Sequence, residues 1–266
     1  MKIIAALLVS FLLAAPACAQ VQQREVAPAH ESFTMQSKSI GESRVVNVYL
    51  PPGYAASSDH YDVLYMPDGG LNEDFPHIAT TIDEGIAAGE VRPLILVGIP
   101  NTERRRDLTG PTSVRSDRKV ANVVGGAPLY RAFIKDELIP EINRRYRTTS
   151  SRGIIGESLA GYFIVETFML DPSMFDTYLA MSPSLWWNAA ALSKAPLPSI
   201  TSPTRVDFSV ADETDIVPNL RTLGSTLKSS APASLTWEVR ELPDQKHGTI
   251  YRDQAPSLIR KYYPAR

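Results

Sequence analysis

Ser151-Arg152-Gly153-Ile154-Ile155-Gly156-Glu157-Ser158-Leu159-Ala160-Gly161-Tyr162-Phe163-Ile164-Val165 decides the fold. Ile154 and Ile155 read as the end of a buried strand. The segment from Leu159 to Leu170, apolar except for Glu166 and Thr167, predicts a buried helix. Only a tight, strained turn can join a strand to a helix so directly, and such a turn lifts the side chain at its apex clear of the backbone. Ser158 sits at that apex. Strand and helix backbones nearly touch two residues to either side, so those positions must be small, and they are Gly156 and Ala160. Alanine departs mildly from the usual G-x-S-x-G, and Gly161 follows at once. G-x-S alone occurs by chance; with a strand before it and an apolar helix after it the pattern is specific.

The surrounding chain supplies the rest of an α/β fold. Phe33 to Lys38 and Ser43 to Leu50 alternate apolar and polar residues around Ile40-Gly41-Glu42, which predicts an antiparallel pair at a sheet edge. The runs at Val63–Met66, Leu94–Ile99, Ile154–Ile155, Tyr178–Met181 and Val206–Val210 are short and mostly apolar. Such runs suit parallel strands covered by helices on both faces. Leu129 to Tyr146 has a helical period, with Leu129, Phe133, Ile134, Leu138, Ile139, Ile142 and Tyr146 on one face, and Pro140 should kink it. Ser234 to Leu242 reads as a last strand and Tyr251 to Tyr263 as a closing helix. Strand alternating with helix predicts a doubly wound α/β domain, of the α/β-hydrolase type once the Ser158 turn is included.

Lys2, the apolar run from Ile3 to Ala15 and Ala17-Cys18-Ala19 read as a secretory signal peptide over residues 1–19, cleaved before Gln20. The run is too short to span a bilayer, which needs about 20 residues. Residues 20–32 read as a flexible arm and 33–266 as one domain. The expected location is therefore periplasmic or extracellular. The sole cysteine, Cys18, would leave with the signal, so neither a disulfide nor a thiol nucleophile is expected. A formal net charge of −2 lacks the basic excess that nucleic acid attracts.

A serine hydroxyl needs a base in contact and a carboxylate to orient that base. In this fold the chain order is serine, acid, histidine. Of the four histidines, His30, His60, His77 and His247, only His247 follows Ser158. It reads as part of a polar loop after the last strand. The acid should follow the strand Val206–Val210, where Asp212, Glu213 and Asp215 all stand. Asp215 is preferred because it leads into the next helix; Asp212 and Glu213 are the alternatives. The backbone amides of Leu159 and Gly70 are the expected oxyanion donors. Two further loops after parallel strands should border the crevice, bringing Arg105 and Arg106 toward an anionic or phenolate group and Trp186 and Trp187 toward an aromatic wall, with one of the two tryptophans in the core. The histidines are scattered, with no H-x-H or H-x-x-H spacing, so no metal or other cofactor is expected.

Gly156-Glu157-Ser158-Leu159-Ala160-Gly161, Tyr49-Leu50-Pro51-Pro52-Gly53-Tyr54, Asp68-Gly69, Arg106-Asp107-Leu108-Thr109, Ser182-Pro183-Ser184-Leu185-Trp186-Trp187 and His247-Gly248 together resemble the putative-esterase family of α/β-hydrolases. That family includes esterase D, siderophore esterases and feruloyl esterases. The Ser-Pro-Ser-Leu-Trp-Trp and Arg-Asp-Leu-Thr pieces are most similar to the siderophore-esterase branch, in which the acid is variable. The resemblance implies hydrolysis of a small-molecule carboxylic ester, with Ser158 as nucleophile and His247 as base. An acyltransferase would use the same residues, and a binding module could keep the fold without turnover.

Overall fold

The computed structural model describes residues 25–265; the expected signal peptide lies outside them. Eight strands form one sheet: β1 (His30–Gln36), β2 (Ser43–Tyr49), β3 (Tyr61–Pro67), β4 (Leu94–Ile99), β5 (Thr148–Glu157), β6 (Thr177–Met181), β7 (Thr204–Val210) and β8 (Leu235–Glu241). Their spatial order is β1-β2-β4-β3-β5-β6-β7-β8. β1 and β2 are antiparallel, β2 joins β4 antiparallel, and β3 to β8 are mutually parallel. β1 begins earlier than the alternation indicated, because His30, Glu31 and Ser32 pair with Tyr49, Val48 and Asn47. The arm is thus shorter than expected, and its Glu25 bonds Arg252.

The helices are α1 (Phe75–Ala87), α2 (Arg104–Asp107), α3 (Ala127–Ala132), α4 (Ile139–Arg145), α5 (Leu159–Leu170), α6 (Trp187–Ala190), α7 (Val217–Ser230) and α8 (His247–Tyr262). Successive side chains of the central strands β3 to β6 alternate between two cores. Val63, Tyr65, Ile95, Val97, Ile154 and Tyr178 face α3, α5 and α7. Leu64, Met66, Leu94, Leu96, Ile155 and Leu179 face α1 and α8. This two-sided burial is why the strands read as continuous apolar runs. α5 is buried along its length except at Leu170, and each large apolar side chain on it contributes about 1.5–3 kcal/mol by leaving water. Among the described residues no helix is long and apolar enough to cross a membrane.

Pro140 shapes its helix differently from a simple kink. α3 runs into α4 through a π-helical turn, Phe133–Leu138. Proline has no N–H to give and its ring crowds the carbonyl four residues back; widening the preceding turn gives that ring room. The phase change also moves Leu129 to the surface, 55% exposed, and leaves Tyr130 in the core. Tyr146 falls just beyond α4.

Among the described residues, non-glycine residues with positive φ fall in two places: Asn188, Ala189 and Ala190 within α6, and the carboxyl edge of the sheet. Three non-glycine residues with positive φ follow three strands: Asp68 after β3 (φ 56), Ser158 after β5 (φ 60) and Ser182 after β6 (φ 41). Such conformations persist only where the surroundings force them, and they gather at functional sites. Gly69 shows how tight the edge is. A Cβ there would lie 2.2 Å from the Ile99 nitrogen and 2.4 Å from the Gly98 Cα. Neither backbone atom can swing aside, so Gly69→Ala should lose about 3 kcal/mol of stability, read as a lower urea midpoint.

Candidate active site

Ser158 occupies the turn between β5 and α5 with φ 60 and ψ −119. Its amide donates to the Met181 carbonyl at 3.0 Å, and its carbonyl accepts from Ser184 at 3.0 Å and Tyr162 at 2.9 Å. The backbone is therefore pinned to β6, to the loop after it and to the helix it starts. A Cβ on Gly156 would lie 2.8 Å from the Ala160 Cβ, so glycine at the first small position is what lets alanine stand at the second. Gly161 has its own reason to be glycine: a Cβ there would sit 3.0 Å from the Met181 carbonyl oxygen.

His247 Nε2 lies 3.0 Å from Ser158 Oγ. Its Nδ1 lies 2.6 Å from Glu213 Oε1. With the Nδ1 proton donated to the carboxylate, Nε2 is left as an acceptor for the serine hydroxyl. The histidine is not in a loop, as its polar neighbours had indicated, but is the first residue of α8. Thr249 Oγ1 accepts the Lys246 amide at 3.3 Å and its own amide bonds the Lys246 carbonyl at 3.0 Å. This local cap starts the helix four residues before the apolar period becomes visible.

The acid on His247 is Glu213, not the preferred Asp215. The Asp215 side chain is exposed at the surface, and its carbonyl accepts from Asn219 at 2.8 Å. Asp212, also exposed, pairs with Lys246 at 2.7 Å. Only Glu213 turns inward, its side chain 11% exposed. Ser182 Oγ donates to its second oxygen, and Ser182 in turn accepts the Ala211 amide at 3.2 Å. Burial pushes the Glu213 carboxyl up, but the hydrogen bonds from His247 and Ser182 outweigh it and hold it below the ordinary range. His247 is raised above the ordinary imidazole value, chiefly by the bond to Glu213, with burial opposing and the charge of Glu157 adding.

Leu159 begins α5, so its amide has no carbonyl acceptor within that helix. Gly70 differs from expectation. Its amide donates to Glu73 Oε2 at 2.7 Å, while the Gly69 amide donates to the Ile99 carbonyl at 3.1 Å. Glu73 also accepts from the Asn101 side chain at 2.8 Å. The loop after β3 is thus closed by a carboxylate three residues along.

A cavity of about 340 Å³ opens over Ser158 and is lined in part by Arg104, Arg105, Val120, Trp186 and Ile216. Arg104 and Arg105 also line a neighbouring hollow that holds Arg118, Lys119 and a single acid, Glu103. Arg106 is not part of either. Consecutive residues on a helix point about 100° apart, and Arg106 turns away to Glu42 at 2.8 Å and Asp107 at 2.7 Å. Arg104, on the same helix, is held over the cavity by Asp68 at 2.7 Å. Trp187 is buried and donates to the Gly110 carbonyl at 2.9 Å, while Trp186 is half-buried and lines the cavity.

A family model described as "Putative esterase" matches residues 37–228, most of the chain. The chain belongs to that family. Among relatives of this esterase-family protein, ferri-bacillibactin esterase BesA of Bacillus subtilis is 29% identical over 188 residues, covering 63% of this chain and 62% of that protein. The iron(III) salmochelin esterase of Escherichia coli is 25% identical over 166 residues, covering 60% of this chain and 37% of that protein. The chain thus spans less than two thirds of the length of these relatives. Its fold matches that of an IroE-like serine hydrolase from Shewanella oneidensis, with TM-score 0.78, 24% identity, and coverage of 88% of this chain and 80% of that one.

Proposed function

We propose that this protein is an exported serine hydrolase that cleaves a siderophore-type carboxylic ester through an acyl-enzyme. The observation that carries the reading is the unbroken line Ser158 Oγ, His247 and Glu213, with spacings of 3.0 and 2.6 Å. In this mechanism His247 Nε2 takes the hydroxyl proton as Ser158 attacks the ester carbonyl. Glu213 holds the Nδ1 proton and stabilises the imidazolium that forms. The Leu159 amide points at the developing oxyanion. His247 then protonates the leaving alcohol, and a water activated by the same nitrogen releases the acid. Export rests on the charged and apolar pattern of residues 1–19 and places the enzyme in the periplasm or outside the cell.

The substrate class rests on the cleft and on the relatives together. Glu213 and Asp215 line the cavity itself, but in the hollow beside it Arg105, Arg118 and Lys119 outnumber the single acid Glu103, which favours an anionic or phenolate group on that side of the substrate, and Trp186 offers an aromatic wall. BesA and the salmochelin enzyme act on iron-bound siderophores by name. The test is a panel of purified-protein assays with an iron-bound siderophore ester, a feruloyl ester and a short-chain nitrophenyl ester. The siderophore ester should be hydrolysed with kcat/KM at least tenfold above the uncharged nitrophenyl ester, and added salt should narrow that gap. Preference for the uncharged ester at every salt concentration would contradict the substrate assignment.

A further inference from the structure

The serine hydroxyl is not alone at the histidine's outer nitrogen. Glu157 Oε1 also lies 3.0 Å from His247 Nε2, the distance at which Ser158 Oγ stands. The two are not hydrogen-bonded: Oε1 is buried and has no hydrogen-bond partner among the described residues. The Glu157 side chain is 17% exposed.

This contact is chemically unbalanced in the form of the site that the mechanism requires. With the Nδ1 proton given to Glu213, Nε2 carries a lone pair. An ionised Glu157 carries lone pairs too. Two acceptors 3.0 Å apart without a proton between them repel, and a buried carboxylate with no partner carries its full desolvation cost. A single proton removes both penalties. It can sit on the Glu157 oxygen away from the ring, which uncharges the carboxyl and leaves the Nε2 lone pair of a neutral imidazole to Ser158. It can equally sit on Nε2, making an imidazolium that faces Glu157 and cannot accept the serine proton.

The neighbours support a shared proton. Burial pushes Glu157 up to about 7, with His247 of α8 and Arg104 of α2 pulling down and Asp74 and Asp68 of the loop after β3 pushing further up. Tyr251 of α8, itself buried with an unbonded hydroxyl, faces the same three carboxylates. Arg104 spends its hydrogen bonds on Asp68, which leaves His247 as the group in direct contact with Glu157.

We infer that Glu157 is a positioning residue that shares one proton with His247 and thereby controls when the imidazole is free to serve Ser158. The inference rests on the hydrolase reading above. Two interacting groups titrate in macroscopic steps that belong to the pair. As pH falls, the first proton divides between an active form, with Glu157 protonated, and an inactive form, with His247 protonated; the second proton makes every molecule inactive. The acidic limb of the wild-type kcat/KM profile should therefore descend in two steps. Glu157→Gln removes a negative charge from the imidazole, so His247 binds its proton less readily. The limb should become a single step with its midpoint about one pH unit lower.

The experiment measures kcat/KM from pH 4 to 9 for wild type and Glu157→Gln on a nitrophenyl ester, alongside labelling of wild type by a fluorophosphonate. A two-step limb collapsing to one lower step establishes the shared proton. Labelled wild type with the same single-step limb in both proteins overturns the Glu157 assignment and leaves the hydrolase reading standing. Absence of both labelling and turnover in wild type overturns the hydrolase reading, and the assignment with it. Should Glu157→Gln fail to fold, the carbon NMR titration of the His247 ring in wild type decides: two inflections support the pair, and one overturns it.

Discussion

Ser158→Ala should abolish ester hydrolysis, with kcat falling by about six orders of magnitude to the level that binding and the Leu159 amide sustain. The loss is that large because serine and histidine act as one unit, and an alanine gives His247 nothing to deprotonate. The fold should not notice. Among the described residues Ser158 Oγ bonds only His247, at 3.0 Å, and the three backbone hydrogen bonds that pin the turn survive the change. Alanine carries the same Cβ as serine, so the cost of φ 60 is already met. The unfolding midpoint should stay within about 0.5 kcal/mol of wild type. Kinetics and a denaturation curve on the same preparation separate a lost nucleophile from a lost structure.

Glu213→Gln should lower kcat by about 10⁴-fold, while Asp215→Asn stays within about threefold of wild type. Glutamine can present its amide hydrogens to Nδ1, which moves the ring proton to Nε2 and removes the lone pair that Ser158 needs. The variant also withdraws the main cause of the raised His247 value. Any residual activity should then persist to lower pH, since the imidazole stays neutral further down the scale. Asp215 contributes only a distant charge to His247, so its neutralisation leaves the proton relay intact. A larger loss at Asp215 than at Glu213 would make Asp215 the acid, and equal losses would contradict the role of Glu213 as the sole orienting carboxylate.

The difference between those two acids marks where sequence stops being sufficient. The turn at Ser158 is legible because its demands are local: a strand, two small residues and a helix within one short stretch. The serine, acid, histidine order is legible because chain order is all it asks. Choosing among Asp212, Glu213 and Asp215 depends on which way a loop faces, and the deciding partner, Ser182, lies on a different strand end, 31 positions away. Gly70 reads as a donor because adjacent glycines let the backbone approach a substrate closely. The amide is instead taken by Glu73, a competitor visible in the sequence but without any indication of its direction. Arg104 and Arg106 exchange roles for the same reason. α2 is only four residues long, too short to reveal its phase by hydrophobic period, so which arginine meets the cleft emerges only with the coordinates. The helix start at His247 hides behind a capping threonine rather than an apolar pattern. Glu157 was the unassigned middle residue of the motif, and nothing in G-x-S marks its carboxylate as a second neighbour of the imidazole.

The most direct test of the central claim is peptide-level mass spectrometry of the native protein after reaction with a fluorophosphonate. The account predicts one adduct, on the peptide containing Ser158, that is absent from the His247→Ala variant. A protein that hydrolyses esters while Ser158 remains unmodified, or an adduct on another residue, would contradict it.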